Sequence, residues 1–438
     1  MLRLDMQPEP TFRPRKIAML GMGLFAAQFA WVVYNTYVPI FLQTGAPGFG
    51  APGISLSHGF GLNAVQTGIL MTLDNIAALL LQPLSGMVSD YTHTRFGRRM
   101  PYLLVGMPLA AIGMICIPLA VESPLGVFIA CLLTMVISMA IWRAPLFALM
   151  ADLTPSVWRT QANGILNLMA GLGGVLAFGI GSLLYAIYQP FPFWFAALLL
   201  LIICFVILWK LREPAVPAVE ITPSKASFFQ HLGEWFSAFT PARRKSLVFL
   251  ILAVFCYMVG FHPLEAFFSS YGVTALKLSE ANSGLVLSAA YITFILFAVP
   301  AGMLAAKIGR KLAVLCGLVL FAVVQLFAFF NPVVPTMVAL MALGGLAWAL
   351  IDINAFPMVL DTSPSADGTA AGMYFIATTL AATVGPIFSG WLIDLSGRNY
   401  SMIFIIGPFF FTLSFIFMLS VHHGEAIVVD PKNGDQGH

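Results

Sequence analysis

Residues 74–102 read DNIAALLLQPLSGMVSDYTHTRFGRRMPY. The apolar run carries Asp74, which falls near the middle of a longer apolar segment, then Pro83 and an exit acid, Asp90. It ends in a loop, residues 91–100, that holds Arg95, Arg98 and Arg99. This is the pattern of a helix leaving a bilayer, and clustered arginine at such a join marks the cytoplasmic side. A weaker copy, GMLAAKIGRK at residues 302–311, follows another apolar run. The chain is therefore expected to hold two copies of one design.

Composition supports a membrane setting. Of the 438 residues 60% are hydrophobic and only 9% charged, against about 25% charged in soluble domains, and the mean hydropathy is +0.92. A span needs about 20 apolar residues. Twelve such segments are predicted, at residues 17–42, 62–89, 101–120, 125–151, 160–188, 191–209, 246–269, 283–306, 312–330, 334–359, 369–393 and 400–420. The expected fold class is an all-α membrane protein. The expected division is a tail at 1–16, a six-helix bundle at 17–209, a linker at 210–245, a second six-helix bundle at 246–420 and a tail at 421–438. Of the 21 Lys and Arg, all but Lys277, Arg398 and Arg143 fall in the tails or in loops after even-numbered segments. That bias predicts both termini, and hence the linker, in the cytoplasm. The first segment is too long for a signal-peptide core and no small-residue cleavage site follows, so it is expected to stay.

The five cysteines lie singly in apolar segments without a metal-ligand partner, and are expected to be small core residues. No metal site and no organic cofactor is predicted. No Ser–His–Asp, metal-ligand or phosphate-loop constellation shares a depth, so no enzyme activity is expected. Nothing points to nucleic acid. The expected partners are the lipid bilayer and a small molecule, with the chain as a monomer.

Polar residues inside apolar segments are the functional candidates, because each is costly at that depth. In the first segment Gln28, Trp31, Tyr34 and Asn35 recur on one helical face. Asp74 and Asn75 follow in the second, and Trp142 and Arg143 in the fourth. The second half contributes Tyr257, His262 and Glu265, then Tyr291, Trp348, Asp352, Asn354 and Tyr374. An internal register links the halves: Asp152 with Asp361, Pro155 with Pro364 and Gly181 with Gly390 are each 209 residues apart, and the same offset carries Arg143 to Asp352. Two opposite charges thus occupy equivalent positions, which suggests either a central ion pair or separate partners within each half. The glycines of the fifth and eleventh segments suit close helix packing, while Trp194, Trp209 and Trp391 suit the membrane interface.

Twelve spans in two parallel repeats, the Gly86…Asp90…Gly97–Arg98–Arg99 loop, its degenerate copy and a basic central linker resemble the major facilitator superfamily. The resemblance covers residues 17–420 and implies two six-helix bundles around a cavity that opens alternately to either side. The longer acid-to-glycine gap, Gln82–Pro83, Ser89–Asp90 and the Pro145…Ala151–Asp152–Leu153 string look like the sucrose-transporter branch and its glycoside–pentoside–hexuronide:cation symporter relatives. Where melibiose-type carriers hold sodium with two acids, this chain has Ala78 and Gln82, and the helix acid of plant sucrose carriers aligns with Val136.

The expectation is a proton-coupled sugar symporter, for an oligosaccharide or disaccharide, in a bacterial-type inner membrane. Its coupling acid would be Asp74, with Glu265 next. The substrate cavity would be lined by Tyr34, Asn35, Asn75, Trp142, Arg143, Tyr291, Trp348, Asp352 and Asn354. Asp90, Arg98, Arg99, Asp152 and Arg159 would form a cytoplasmic latch. The alternatives are a proton-driven antiporter of amphipathic drugs or lipids and, from another class, a membrane sugar sensor that binds without transport.

Overall fold

The computed structural model describes residues 14–47, 49, 59–154, 158–211, 213, 240–362 and 368–424. Among these residues twelve helical spans are long and apolar enough to cross a membrane. In chain order the α-helices are α1 (Pro14–Gln43), α2 (Ala64–Met71), α3 (Leu73–Tyr91), α4 (Met100–Leu119), α5 (Leu125–Leu153), α6 (Arg159–Ile187), α7 (Phe191–Lys210), α8 (Pro241–Thr274), α9 (Glu280–Ser283), α10 (Leu285–Ile308), α11 (Arg310–Phe330), α12 (Val334–Thr362), α13 (Gly368–Leu395) and α14 (Ile403–Leu419). The all-α, twelve-span reading holds, with α2 and α3 together making the second span and α9 and α10 the eighth.

Local chemistry sets several helix starts. Thr240 accepts from the Arg243 amide and Pro241 takes the first helical position, where a missing N–H costs nothing. Residues 241–245, expected in the linker, are thereby helical. Residues 214–239 of the expected linker lie outside the described residues. At α2, Asn63 and Gln66 cap one another reciprocally through their amides, the arrangement of a capping box. The Asp394 carboxylate also receives the Ala64 and Val65 amides at 3.1 and 2.9 Å.

Two compact units emerge. One is drawn from Met1–Leu62, Leu70–Ile221 and Leu278–Leu285, the other from Asn63–Ile69, Thr222–Lys277 and Val286–His438. In the first unit α1 packs on α6 and α7, and α4 on α5 and α7. In the second α8 packs on α13 and α14, and α11 on α12 and α14, so the same span pairings recur. The α2 turn belongs to the second unit, where Asp394 holds it. The α9 turn belongs to the first, where the Tyr185 hydroxyl donates to Glu280 at 3.0 Å.

Side chains such as Leu80, Leu183, Ile187, Phe205, Val299 and Phe330 remain exposed, an apolar exterior suited to acyl chains rather than water. Trp209 and Trp391 are exposed, and the Lys210 ammonium lies 4.0 Å from the Trp209 ring centre. The expectation that every cysteine is a core residue needs correction. Cys204 and Cys256 are buried, but Cys316 is exposed on α11, where an apolar surrounding makes a thiol as acceptable outside as inside. The Gly-rich reading holds at Gly173, where any side chain would strike the Phe25 carbonyl, and not at Gly164, Gly179 or Gly372, which face open space.

Candidate functional site

The second span breaks at Thr72, which separates α2 from α3, and α3 belongs to the first unit. Asp74 therefore lies in the first turn of α3, where unpaired amides and the helix dipole favour an anion. Its Oδ1 accepts from the Asn75 backbone amide at 2.7 Å and from the Asn75 side-chain amide at 2.8 Å. The Asp74 charge also acts on Arg143 from α5 and on Tyr34 from α1. Trp31 meets the Tyr34 ring edge-on, with ring centres 5.5 Å apart. Trp31 Nε1, Tyr34 Oη and Arg143 Nε are buried atoms without a hydrogen-bond partner among the described residues. Asp74, Asn75, Asn35 and Arg143 are only partly buried, so this group combines an acid, a base and free donors around accessible polar atoms.

Trp142 does not join it. The sequence placed this indole on the cavity wall, but it is fully buried, and a side chain at Gly106 or Gly23 would meet it. One residue away from Arg143 along a helix is about 100° around it, so the two cannot share a face. Trp142 packs the core while Arg143 carries the charge.

The second unit gathers a different set. Glu265 on α8 is held through both oxygens: His262 Nδ1 lies 3.0 Å from Oε2, and the Tyr291 hydroxyl of α10 donates to Oε1 at 2.9 Å. Phe261 stacks on Trp348, with centres 3.8 Å apart and planes 11° from parallel, and Tyr257 meets Trp348 edge-on. Such stacking is worth about 0.5–1.5 kcal/mol beyond area burial and fixes the indole. Asp352 follows Trp348 by one turn on α12, and its charge acts on Tyr257 and Tyr374. Asn354, expected in the cavity, is buried, and its side-chain amide donates to the Leu350 carbonyl of its own helix at 2.9 Å. That back-bond satisfies it locally. Arg143 and Asp352, equivalent in the repeat, thus each have charged neighbours inside their own unit, Asp74 for one and Glu265 for the other.

A third cluster forms around the loop that decided the fold. Gly97 has φ +112° and would bring any side chain onto the Glu213 carboxylate, so only glycine fits there. This turn presents Arg98 and Arg99 together. Arg98 Nη2 reaches Asp152 Oδ2 at 3.1 Å, and Arg99 Nε reaches the same oxygen at 3.3 Å. Arg99 also pairs with Asp90 and donates to Ser89 and to the Gly86 carbonyl. The structure brings four of the five expected latch residues together; the Arg159 side chain lies outside the described residues. Glu213 was not foreseen. It accepts from the Arg99 amide at 2.9 Å and lies 3.7 Å from Arg98 Nε. The available signal was an acid just past the sixth apolar segment, on the side where the basic loop was expected.

The degenerate copy builds less. Gly309 has φ +94° and precedes Arg310, which pairs with Asp361 as Arg98 does with Asp152. Lys311 instead donates to the Leu419 and Val421 carbonyls at 2.9 and 2.6 Å. The end of α14 and the residues just after it are thereby tied to the start of α11.

Two repeated six-span units with charged side chains inside their spans have the build of a membrane transporter. The profile of the Major Facilitator Superfamily matches residues 20–279 and 265–435, and the chain belongs to that family. Among curated proteins it is similar to the proton-associated sugar transporter A of Mus musculus, 28% identical over 193 residues that cover 41% of this chain and 23% of that protein. It is also similar to a sucrose transport protein of Arabidopsis thaliana, 25% identical over 175 residues that cover 35% of this chain and 27% of that one. The matches thus span about a quarter of these relatives' length. Among solved structures it resembles the nucleoside transporter NupG, with TM-score 0.69, 15% identity, and coverage of 93% of this chain and 99% of that one. At that identity the likeness concerns the fold.

Proposed function

We propose that this transporter is a proton-coupled sugar symporter working by alternating access, placed in a bacterial-type inner membrane with both termini in the cytoplasm. The observation that carries the reading is the Trp31–Tyr34–Asp74–Arg143 group, which offers unused hydrogen-bond donors beside an intramembrane acid. A neutral polyol needs such groups together with flat apolar surfaces. Trp348, held by Phe261, supplies such a surface in the second unit. The names of the similar curated proteins favour sugar over other solutes. Acids within the spans, Asp74, Glu265 and Asp352, supply candidate proton carriers, since an intramembrane ionisable group marks an ion or proton pathway by default. Asp90, Arg98, Arg99, Asp152 and Glu213 hold the basic loop as a latch at the membrane surface.

The test is purified protein in liposomes that enclose a pH-sensitive dye, screened with mono- and disaccharides. Sugar addition should acidify the lumen with saturable dependence on one or a few sugars. Acidification driven instead by hydrophobic cations moving in the opposite sense would replace the reading with drug export. Saturable sugar binding without any lumenal sugar would replace it with a sensor.

A further inference from the structure

We propose that Asp352 is the residue that carries the coupling proton. The inference rests on the symport reading and assigns its proton to one side chain. Three acids lie within the spans away from their ends, and two are already provided for. Asp74 has the Asn75 amides, a helix N-terminus and the charge of Arg143. Glu265 has His262 on one oxygen and Tyr291 on the other. Asp352 accepts no hydrogen bond and forms no ion pair among the described residues. Asp352 is only partly buried; its ionised form has no protein donor among those residues and depends on water alone, whereas its protonated form needs only one acceptor.

The surroundings point the same way. Helix α12 packs on α8, α11 and α13. From α8 the titratable groups facing Asp352 are Tyr257 and Glu265, and from α13 Tyr374. Helix α11 contributes the apolar ring of Phe321 beside Trp348, and α10 contributes Tyr291, already bound to Glu265. No lysine or arginine is among them. His262 is committed to Glu265, so the second unit holds two mid-span carboxylates against at most one cation. A proton on Asp352 removes that excess. In the first unit the equivalent position is Arg143, and its charge is balanced by Asp74.

The location also ties the proton to the sugar. Trp348 lies four residues before Asp352, on the same helical face. A sugar ring resting against Trp348 would cover Asp352 and close it to water, so the acid releases its proton only after the sugar has left. The step is a single protonation: an Oδ–H bond forms from water on one side and breaks to water on the other.

Two measurements test this on the full chain in liposomes. The first is protons taken up per sugar, with sucrose, melibiose and glucose as probes. Asp352→Asn should lower that ratio at least tenfold, and Asp352→Glu should restore most of it. The second is infrared difference spectroscopy during a pH titration. The carbonyl band of a protonated carboxylic acid should be present in the wild type and in Asp74→Asn and missing in Asp352→Asn. A wild-type proton-to-sugar ratio in Asp352→Asn, or persistence of its carboxylic acid band, would overturn the assignment. A wild type that moves these sugars with no proton would overturn the symport reading instead, and this inference with it. The infrared arm reads protonation without transport, so it separates the two failures.

Discussion

The two units were built from one plan and carry charge in opposite ways. In the first, the mid-span charges are an acid and a base, Asp74 and Arg143, which act on each other. In the second, the position of Arg143 is taken by Asp352, and the charge that acts on it is that of another acid, Glu265. The basic turns show the same inequality. Arg98 and Arg99 engage Asp90, Asp152 and Glu213, whereas Arg310 engages Asp361 in a more exposed pair. The lesson is that a repeat preserves span pairings while letting each half specialise. The first unit holds an acid and a base beside a braced loop; the second holds two acids, Glu265 and Asp352, with a less braced turn.

The largest effect of a single substitution is expected at Asp74. Asp74→Asn removes the carboxylate whose charge acts on Arg143 and leaves an intramembrane guanidinium without that compensation. The expected outcome is a large loss of thermal stability in detergent, with partial recovery in the Asp74→Asn/Arg143→Gln double variant. Equal melting of the single and double variants would show that the two charges are not coupled.

A smaller effect is expected at the braced loop. Arg99 is 5% exposed and serves two carboxylates, a hydroxyl and a carbonyl. Arg99→Ala should therefore destabilise by about 2–4 kcal/mol, read as a clear fall in melting temperature. Glu213→Gln keeps the shape and one acceptor, and should cost about 1 kcal/mol through the weakened Arg99 amide bond. The smallest change belongs to Arg310→Ala. Its partner Asp361 has a side chain 46% exposed, and such pairs are worth about 0–1 kcal/mol. If Arg310→Ala destabilises as much as Arg99→Ala, the inequality between the turns is wrong.

Much of the architecture was legible because hydropathy and length are local properties. Twelve spans could be read from apolar segments along the chain, and the Gly97–Arg98–Arg99 turn with Asp90 from residues 74–102, while Asp152 was marked by its 209-residue register with Asp361. What escaped depends on which neighbour a side chain meets. The Thr72 break gives Asp74 a helix end, yet Leu-Met-Thr-Leu-Asp carries no glycine or proline to announce it. Trp142 and Arg143 are adjacent in sequence, and periodicity alone does not say which of them faces the core. Asn354 looked like a cavity residue by depth, but its own helix satisfies it. Glu213 was hidden because its partners lie more than a hundred residues away.

A proton-coupled sugar symporter must draw sugar uphill on a proton gradient alone. The most direct measurement is sugar accumulation by proteoliposomes with an imposed inside-alkaline pH gradient and no sodium. Transient accumulation above the external concentration, collapsing on addition of a protonophore, is expected. Accumulation that ignores the protonophore, or that appears only with a sodium gradient, would contradict proton-coupled symport.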